Sequence, residues 1–288
     1  MFGPFGFMGT QVGSYISGSG GTVYDYSGYR THVFDNPGTD TFTISNELSG
    51  SVDILLIGGG GAGCSSVGVS CTTPGPFGKE GGGGGAGGAV YWTGSLLTTG
   101  TYPVQIGSGG FTTSSISEPQ VIAAESSSFN GLTALGGGWA LYNYFGQDYS
   151  VSVSGANGGC GGGLGPGSNI SATNTTASQA SLLGDSGTYG LGNINGLRSN
   201  LTICTFPAYG EFYQGAGGGG IQGNGVTING GDGLVLDWTG TSLEYGKGGD
   251  SVTTYVQAVR GSGGDSANSS HTGSFGGDGI LMIRYQYP

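Results

Sequence analysis

The chain has 288 residues, of which 70 are glycine, while charged residues make up only 8% and aromatic residues 11%. An ordinary soluble chain carries glycine near 7% and charged residues near 25%, so this backbone has unusually much freedom to lose on folding. Six Lys+Arg against 17 Asp+Glu give a formal net charge of -11; nucleic acid and anionic membrane surfaces, which call for clustered cations, are excluded as partners.

Residues 1–21, MFGPFGFMGTQVGSYISGSGG, are too aromatic for a mere tail, and Phe2, Phe5 and Phe7 are expected to anchor them as an attachment arm. The segment has neither a basic start nor a sustained apolar core, so no secretory signal is expected. A domain covering 22–288 follows. YRTHVF (29–34) and DTFTISN (40–46), separated by DNPGT, alternate with a period of two and predict strands, with Tyr29, Thr31 and Val33 on one face and Arg30, His32 and Phe34 on the other. SVDILLIG (51–58) is a continuous apolar run, as expected of a strand buried on both faces. Its core, Ile54 to Ile57, is the longest apolar stretch and is far short of the roughly 18 residues that cross a bilayer, so no membrane insertion is expected.

From Gly58 onward, islands of strand-forming residues alternate with glycine runs at 58–63, 81–88, 136–138, 155–167, 215–225, 246–250, 261–265 and 276–279. The islands include AVYWT (89–93), TYPVQIG (101–107), SSSFNGLTALG (126–136), YSVSV (149–153), GLVLDW (233–238), VTTYVQAV (252–259) and GILMIRYQY (279–287). No long helix is expected, because no window of good helix formers escapes glycine, which costs about 1 kcal/mol at each interior position. Nine prolines without a Gly-X-Y period exclude collagen, and the aromatic and aliphatic content is too high for a disordered linker. Ordered polyglycine has one economical form, the polyproline II helix of three residues per turn and about 3.1 Å rise, whose outward N–H and C=O groups bond to neighbouring helices that only glycine lets come close. The expected fold is all-β with irregular Gly-rich structure, in which β-strands flank packed polyglycine helices.

Chemical motifs are few. ILLIGGGGAG contains the G-x-G-x-x-G spacing of a dinucleotide loop at Gly58, Gly60 and Gly63, but the helix that must open at the third glycine is replaced by CSSVGVSCTTPGPFG. His32 and His271 have no nucleophile or elbow motif beside them, and no catalytic residue or cofactor is expected. Asp185, Asp232, Asp250, Asp265 and Asp278 recur after glycine, where turns account for them; calcium is the alternative, although no nonapeptide calcium repeat is present. Cys64 and Cys71 share one loop and are either a local disulfide or buried thiols, and Cys160 and Cys204 present the same choice. Four N-x-[ST] sequons, at Asn169, Asn174, Asn200 and Asn268, are read as chance in an Asn/Ser/Thr-rich chain.

Between Trp139 and Gln214 glycine thins and aromatics rise. WALYNYFGQDY (139–149) and TFPAYGEFYQ (205–214) lack helix or strand periodicity, and Trp139, Tyr142, Tyr144, Phe145, Tyr149, Tyr209, Phe212 and Tyr213 are candidate contacts to a host-surface saccharide or protein. Sealing of the glycine layer is the other reading of the same residues.

YRTHVFDNPGTDTFTIS, VDILLIGGGGAG, GGGGGAGGAVYWTGSLLTTGTYPVQIGSGG, SSFNGLTALGGG and GGDGILMIRY, in that order from about Thr22 to Tyr285, resemble the glycine-rich domain family common in bacteriophage virion proteins. The resemblance implies a non-enzymatic virion protein, assembled in the host cytoplasm and exposed on the particle, of tail-fibre or adhesin type, with polyglycine helices presenting variable receptor-binding loops in 139–214. Other virion proteins and further copies of the chain are its expected partners. A capsid decoration or head-fibre protein, or a bacterial extracellular matrix protein, is the alternative.

Overall fold

The computed structural model describes residues 15–45, 50–63, 82–112, 121–140, 158–163, 188–191, 201–206, 210–214, 217–226, 228–251, 259–266 and 275–287. Among these the fold is all-β, with every ladder antiparallel and no helix.

The central layer is a six-stranded sheet. Its strands are β2 (Thr22–Tyr26), β3 (Tyr29–Phe34), β5 (Gly50–Ile57), β6 (Ala89–Leu97), β12 (Thr188–Leu191) and β17 (Ile280–Gln286), in the order β12-β6-β5-β17-β3-β2. The five-stranded second sheet contains β1 (Gly18–Ser19), β4 (Gly38–Ile44), β7 (Gly100–Ile106), β10 (Ser127–Phe129) and β11 (Leu132–Ala134), in the order β1-β4-β7-β10-β11. Three short pairs complete the strands: β8 (Phe111–Thr112) with β9 (Val121–Ile122), β13 (Leu201–Phe206) with β14 (Gly210–Gln214), and β15 (Leu234–Leu236) with β16 (Leu243–Tyr245).

The alternation of β3 and the unbroken apolar run of β5 have one cause: both faces of the central sheet are covered. Phe34, Val52, Ile54, Leu56, Leu281 and Ile283 pack against Phe42, Ile44, Val104, Ile106 and Phe129 of the second sheet. Val33, Leu55, Ile57, Ile280 and Met282 face the other way, onto Ile221, Trp238 and Tyr245. Ile54 to Ile57 are fully buried as a result. Two hairpins close through left-handed turn residues, Ser27–Gly28 (φ 53° and 79°) and Asn130–Gly131 (φ 47° and 78°), the geometry whose twist matches antiparallel strands.

Where the strands run out of side chains, the two sheets merge into one lattice. Residues 58–63 continue β5, 107–110 continue β7, 135–140 continue β11, 82–88 lead into β6, 123–126 into β10, and 276–279 into β17. Stacked sheets stand about 10 Å apart when side chains separate them. Here the continuations bond directly across the former gap: Gly110 N–H donates to Gly60 O at 2.8 Å and Gly59 N–H to Glu125 O at 2.9 Å.

The bonding has a period of three. Gly84 and Gly87 donate to Gly264 and Gly261, Gly85 and Gly88 to Gly138 and Leu135, and Ala86 to Gly219. Gly58 and Gly61 donate to Gly88 and Gly85, Cys160 and Gly163 to Ala86 and Gly83, and Gly249 to Gly84. Segment 82–88 is thus ringed by six others, 58–63, 135–140, 158–163, 217–220, 246–251 and 261–266. A three-fold helix with outward-pointing N–H and C=O groups requires such an environment. Gly58–Gly61 and Gly83–Gly85 are absent from the positive-φ glycines, consistent with the left-handed polyproline II form. On Gly59, Gly60, Gly61, Gly83, Gly84 and Gly87, the position a Cβ would take overlaps a neighbouring carbonyl oxygen, so a Cα hydrogen points there instead and adds weak C–H···O contacts.

The N-terminal strand is held by a buried relay. His32 Nδ1–H donates to Gly20 O (2.7 Å), Tyr285 O–H donates to His32 Nε2 (3.0 Å), and Gly18 N–H donates to the Tyr285 oxygen (3.1 Å). The Gly20 carbonyl, which only accepts, fixes this tautomer. Ile16 is buried beside β1, so residues 16–19 pack with the domain.

Two outcomes are expected. Gly84→Ala places a methyl on the Gly61 carbonyl, where only backbone can move, and should lower unfolding free energy by about 3 kcal/mol or more. Gly131→Ala meets open space and suffers only its positive φ, a cost of about 1–2 kcal/mol; equal losses in urea titrations would contradict the lattice. Burial holds His32 below its ordinary 6.5, opposed by the Gly20 bond, with Arg30 lowering it further and Asp25 raising it. A depressed folded value means that stability is complete above about pH 6.5 and is lost as the pH falls below it. The urea midpoint should drop between pH 7 and 5.5, and His32→Gln should flatten that drop.

Candidate functional site

The glycine segments bring chain positions far apart in sequence to one end of the molecule. Thr112 Oγ1 donates to Gly63 O (3.1 Å), Ala140 N–H to Ala62 O (2.8 Å) and Gly163 N–H to Gly83 O (2.7 Å). Phe111 stacks on Phe275 with ring centroids 5.7 Å apart. Segments 64–81 and 113–120 therefore leave and re-enter the described fold at this end; 141–157 and 164–187 leave from it, and 267–274 re-enters at Phe275.

Trp139 stands at this same end, half-buried, one residue before Ala140, and its Nε1–H is buried without a hydrogen-bond partner. Tyr142, Tyr144, Phe145, Tyr149 and Tyr209 lie outside the described residues, as do Phe2, Phe5, Phe7, Cys64 and Cys71. Phe212 and Tyr213 fall on β14, which pairs with β13 and with neither large sheet. Cys204 is on β13. Cys160 is a fully buried thiol inside the lattice, its Sγ 3.8 Å from Gly87 O.

The acidic residues serve the backbone. Asp278 accepts from Gly109 N–H (3.0 Å), Glu244 from Gly233 N–H (2.8 Å) and Asp265 from Asp250 N–H (2.8 Å). Arg260 links Asp278 to Asp35, at 3.3 and 3.1 Å. Burial pulls the Lys247 ammonium down, but the bond to Asp250 and the charges of Asp250, Asp265 and Glu244 outweigh it and hold the group above its ordinary value. Among the described residues no group of three or more His, Cys, Asp or Glu is placed to hold a metal ion. The dinucleotide-like spacing is lattice: no helix opens at Gly63, whose carbonyl accepts from Thr112 Oγ1, and Gly58 and Gly60 donate to Gly88 and Gly277 of other glycine segments.

A second feature lies at the opposite end of the central sheet, and the sequence alone did not expose it. Pairing between β5 and β17 stops at Asp53–Arg284 although both strands continue, and on the other side of β5 its pairing with β6 shifts register between Val52 and Ile54. The seam opens into a cavity of about 480 Å³. Arg284 reaches Asp53 at 2.7 Å and its guanidinium lies 4.6 Å from the Tyr29 ring centroid and 4.3 Å from that of Trp238. A lone cation in the otherwise apolar ILMIRY was the available signal.

The arrangement of strands and glycine segments now has a counterpart among known sequences: the profile of a glycine-rich domain matches residues 35–286. The chain belongs to this glycine-rich domain family. Among curated proteins none matches it. The match covers the lattice segments from Gly58 to Gly279 and the strands that carry them.

Proposed function

We propose that this glycine-rich domain protein is a non-enzymatic virion surface protein of tail-fibre or adhesin type, which displays host-recognition loops on its polyglycine lattice. The observation that carries this reading is the gathering of Gly63, Gly82, Thr112, Ala140, Gly163 and Phe275, which border the segments between them in sequence, on one end of a layer with almost no side chains to vary. Recognition commonly resides on loops held by a rigid scaffold. Segment 141–157, which contains Tyr142, Tyr144, Phe145 and Tyr149, leaves from that end beside Trp139. Rigid aromatics bury contact area at low entropic cost, and a chain of net charge -11 suits a neutral saccharide better than an anionic polymer. The resemblance of its motifs to those of bacteriophage virion proteins supports the same assignment.

One observation favours the second reading, decoration of the particle through lateral contacts. β2 is an edge strand exposed along its whole length, with Val23, Tyr24 and Tyr26 open to solvent, and such an edge is a template for strand pairing with a neighbour.

Labelled protein should bind cells of at least one strain in a bacterial panel. Replacing Tyr142, Tyr144, Phe145 and Tyr149 together by Ser should weaken that binding at least tenfold with no change in unfolding midpoint. Binding to no strain, with immunogold label on the particle head, would favour decoration; undiminished binding by the quadruple variant would remove these residues from the contact.

A further inference from the structure

The cavity between β5 and β17 is far from the end marked by Gly63, Thr112 and Ala140, since Arg284 and Asp53 pair four residues from the Ile280–Ile57 step that adjoins the lattice. At about 480 Å³ it falls within the roughly 300–1,000 Å³ of small-molecule sites. Its lining mixes the exposed Tyr15, Ser51 and Gln286 with the half-buried Tyr29, Asp53 and Arg284. The charges in that lining cancel: the Arg284 guanidinium is matched by Asp53, whose other oxygen accepts from Gly94 N–H at 3.1 Å. An anionic ligand would find no spare cation there, and a cationic one no spare carboxylate.

What remains is a set of donors and acceptors beside tyrosine faces. The Gln286 amide and Ser51 hydroxyl each donate and accept, and the backbone groups of residues 51–52 and 285–286 on the seam side have no ladder partner across it. Arg284 is maintained here at a cost, because its Nε–H is buried without a hydrogen-bond partner. An apolar residue such as Met282, on the same face two positions earlier, would fill a strand without that cost.

We infer that this cavity is a binding site for a neutral saccharide, a ligand class that offers hydroxyls to Gln286, Ser51 and the Asp53–Arg284 pair and an apolar C–H face to Tyr15 and Tyr29. The site is independent of the loops at the other end, so each stands or falls alone.

Saturation-transfer NMR on the full chain tests it, with methyl glycosides of glucose, mannose and galactose as neutral probes and glucuronate as the anionic one. At least one neutral glycoside should give a saturable signal. Its affinity should fall at least tenfold in Tyr15→Ala and in Gln286→Ala, both exposed positions whose unfolding midpoints should match the parent, and should be unchanged in the quadruple Ser variant of 142–149. No saturable neutral glycoside, an affinity unaltered in both cavity variants, or glucuronate binding tenfold tighter than the glucoside would overturn the assignment.

Discussion

The fold depends on one steric fact: at Gly58 to Gly61 and at Gly83, Gly84, Gly85 and Gly87, backbone carbonyls of neighbouring segments occupy the space that a Cβ would need. Two sheets that must stand apart while they carry Phe42, Ile54 and Phe129 between them can converge only where side chains cease. The interior beyond that line is backbone, and its cohesion is hydrogen bonding. Within 84–88, the N–H of every residue and the C=O of Gly84, Gly85, Ala86 and Gly88 have a backbone partner. Each bond contributes a net of only about 0.5–1.5 kcal/mol, but each one left unmade in a buried site costs more. The layer is therefore cooperative: removing one segment strands the donors and acceptors of the six around it. The entropy lost by ordering so many glycines is offset by this dense bonding together with the apolar core beneath.

From that constraint follows the division of labour along the molecule. A lattice of glycine has few side chains, and they return only at its two ends. At one end the described segments stop beside stretches of sequence rich in Tyr, Phe, Ser and Asn. At the other the central sheet regains side chains and, at the Asp53–Arg284 seam, a cavity with matched charges. Carboxylates such as Asp278 and Asp265 work between these ends by accepting from backbone N–H groups, so acidity here is partly a consequence of having so much backbone to cap.

The strands were legible because their side chains carry a pattern: YRTHVF announces both its faces, and ILLI and ILMI announce burial on two sides. The glycine runs were legible as a class, since neither disorder nor collagen fits their surroundings. Their adjacency was not. Glycine has no side chain to encode a partner, and the ring of segments around 82–88 is set by the strands at their ends, by Ala86 and Cys160, and by the capping carboxylates. Within SSSFNGLTALG the Asn130–Gly131 pair is itself a turn signal, and the segment folds there into the β10–β11 hairpin. At the candidate site, Trp139 and its neighbours stood out by composition. The cavity did not, because Tyr29, Asp53 and Arg284 meet only through the order β5-β17-β3, and its opening comes from a ladder that stops early.

Residue-resolved amide hydrogen exchange tests this account most directly. The amides of Gly60, Gly84, Gly85 and Gly88 should exchange as slowly as those of Leu55 and Met282 in the central sheet, through opening that approaches global unfolding. Exchange of those glycines within seconds, while β5 and β17 stay protected, would mean that the segments are loose chain and form no solid layer.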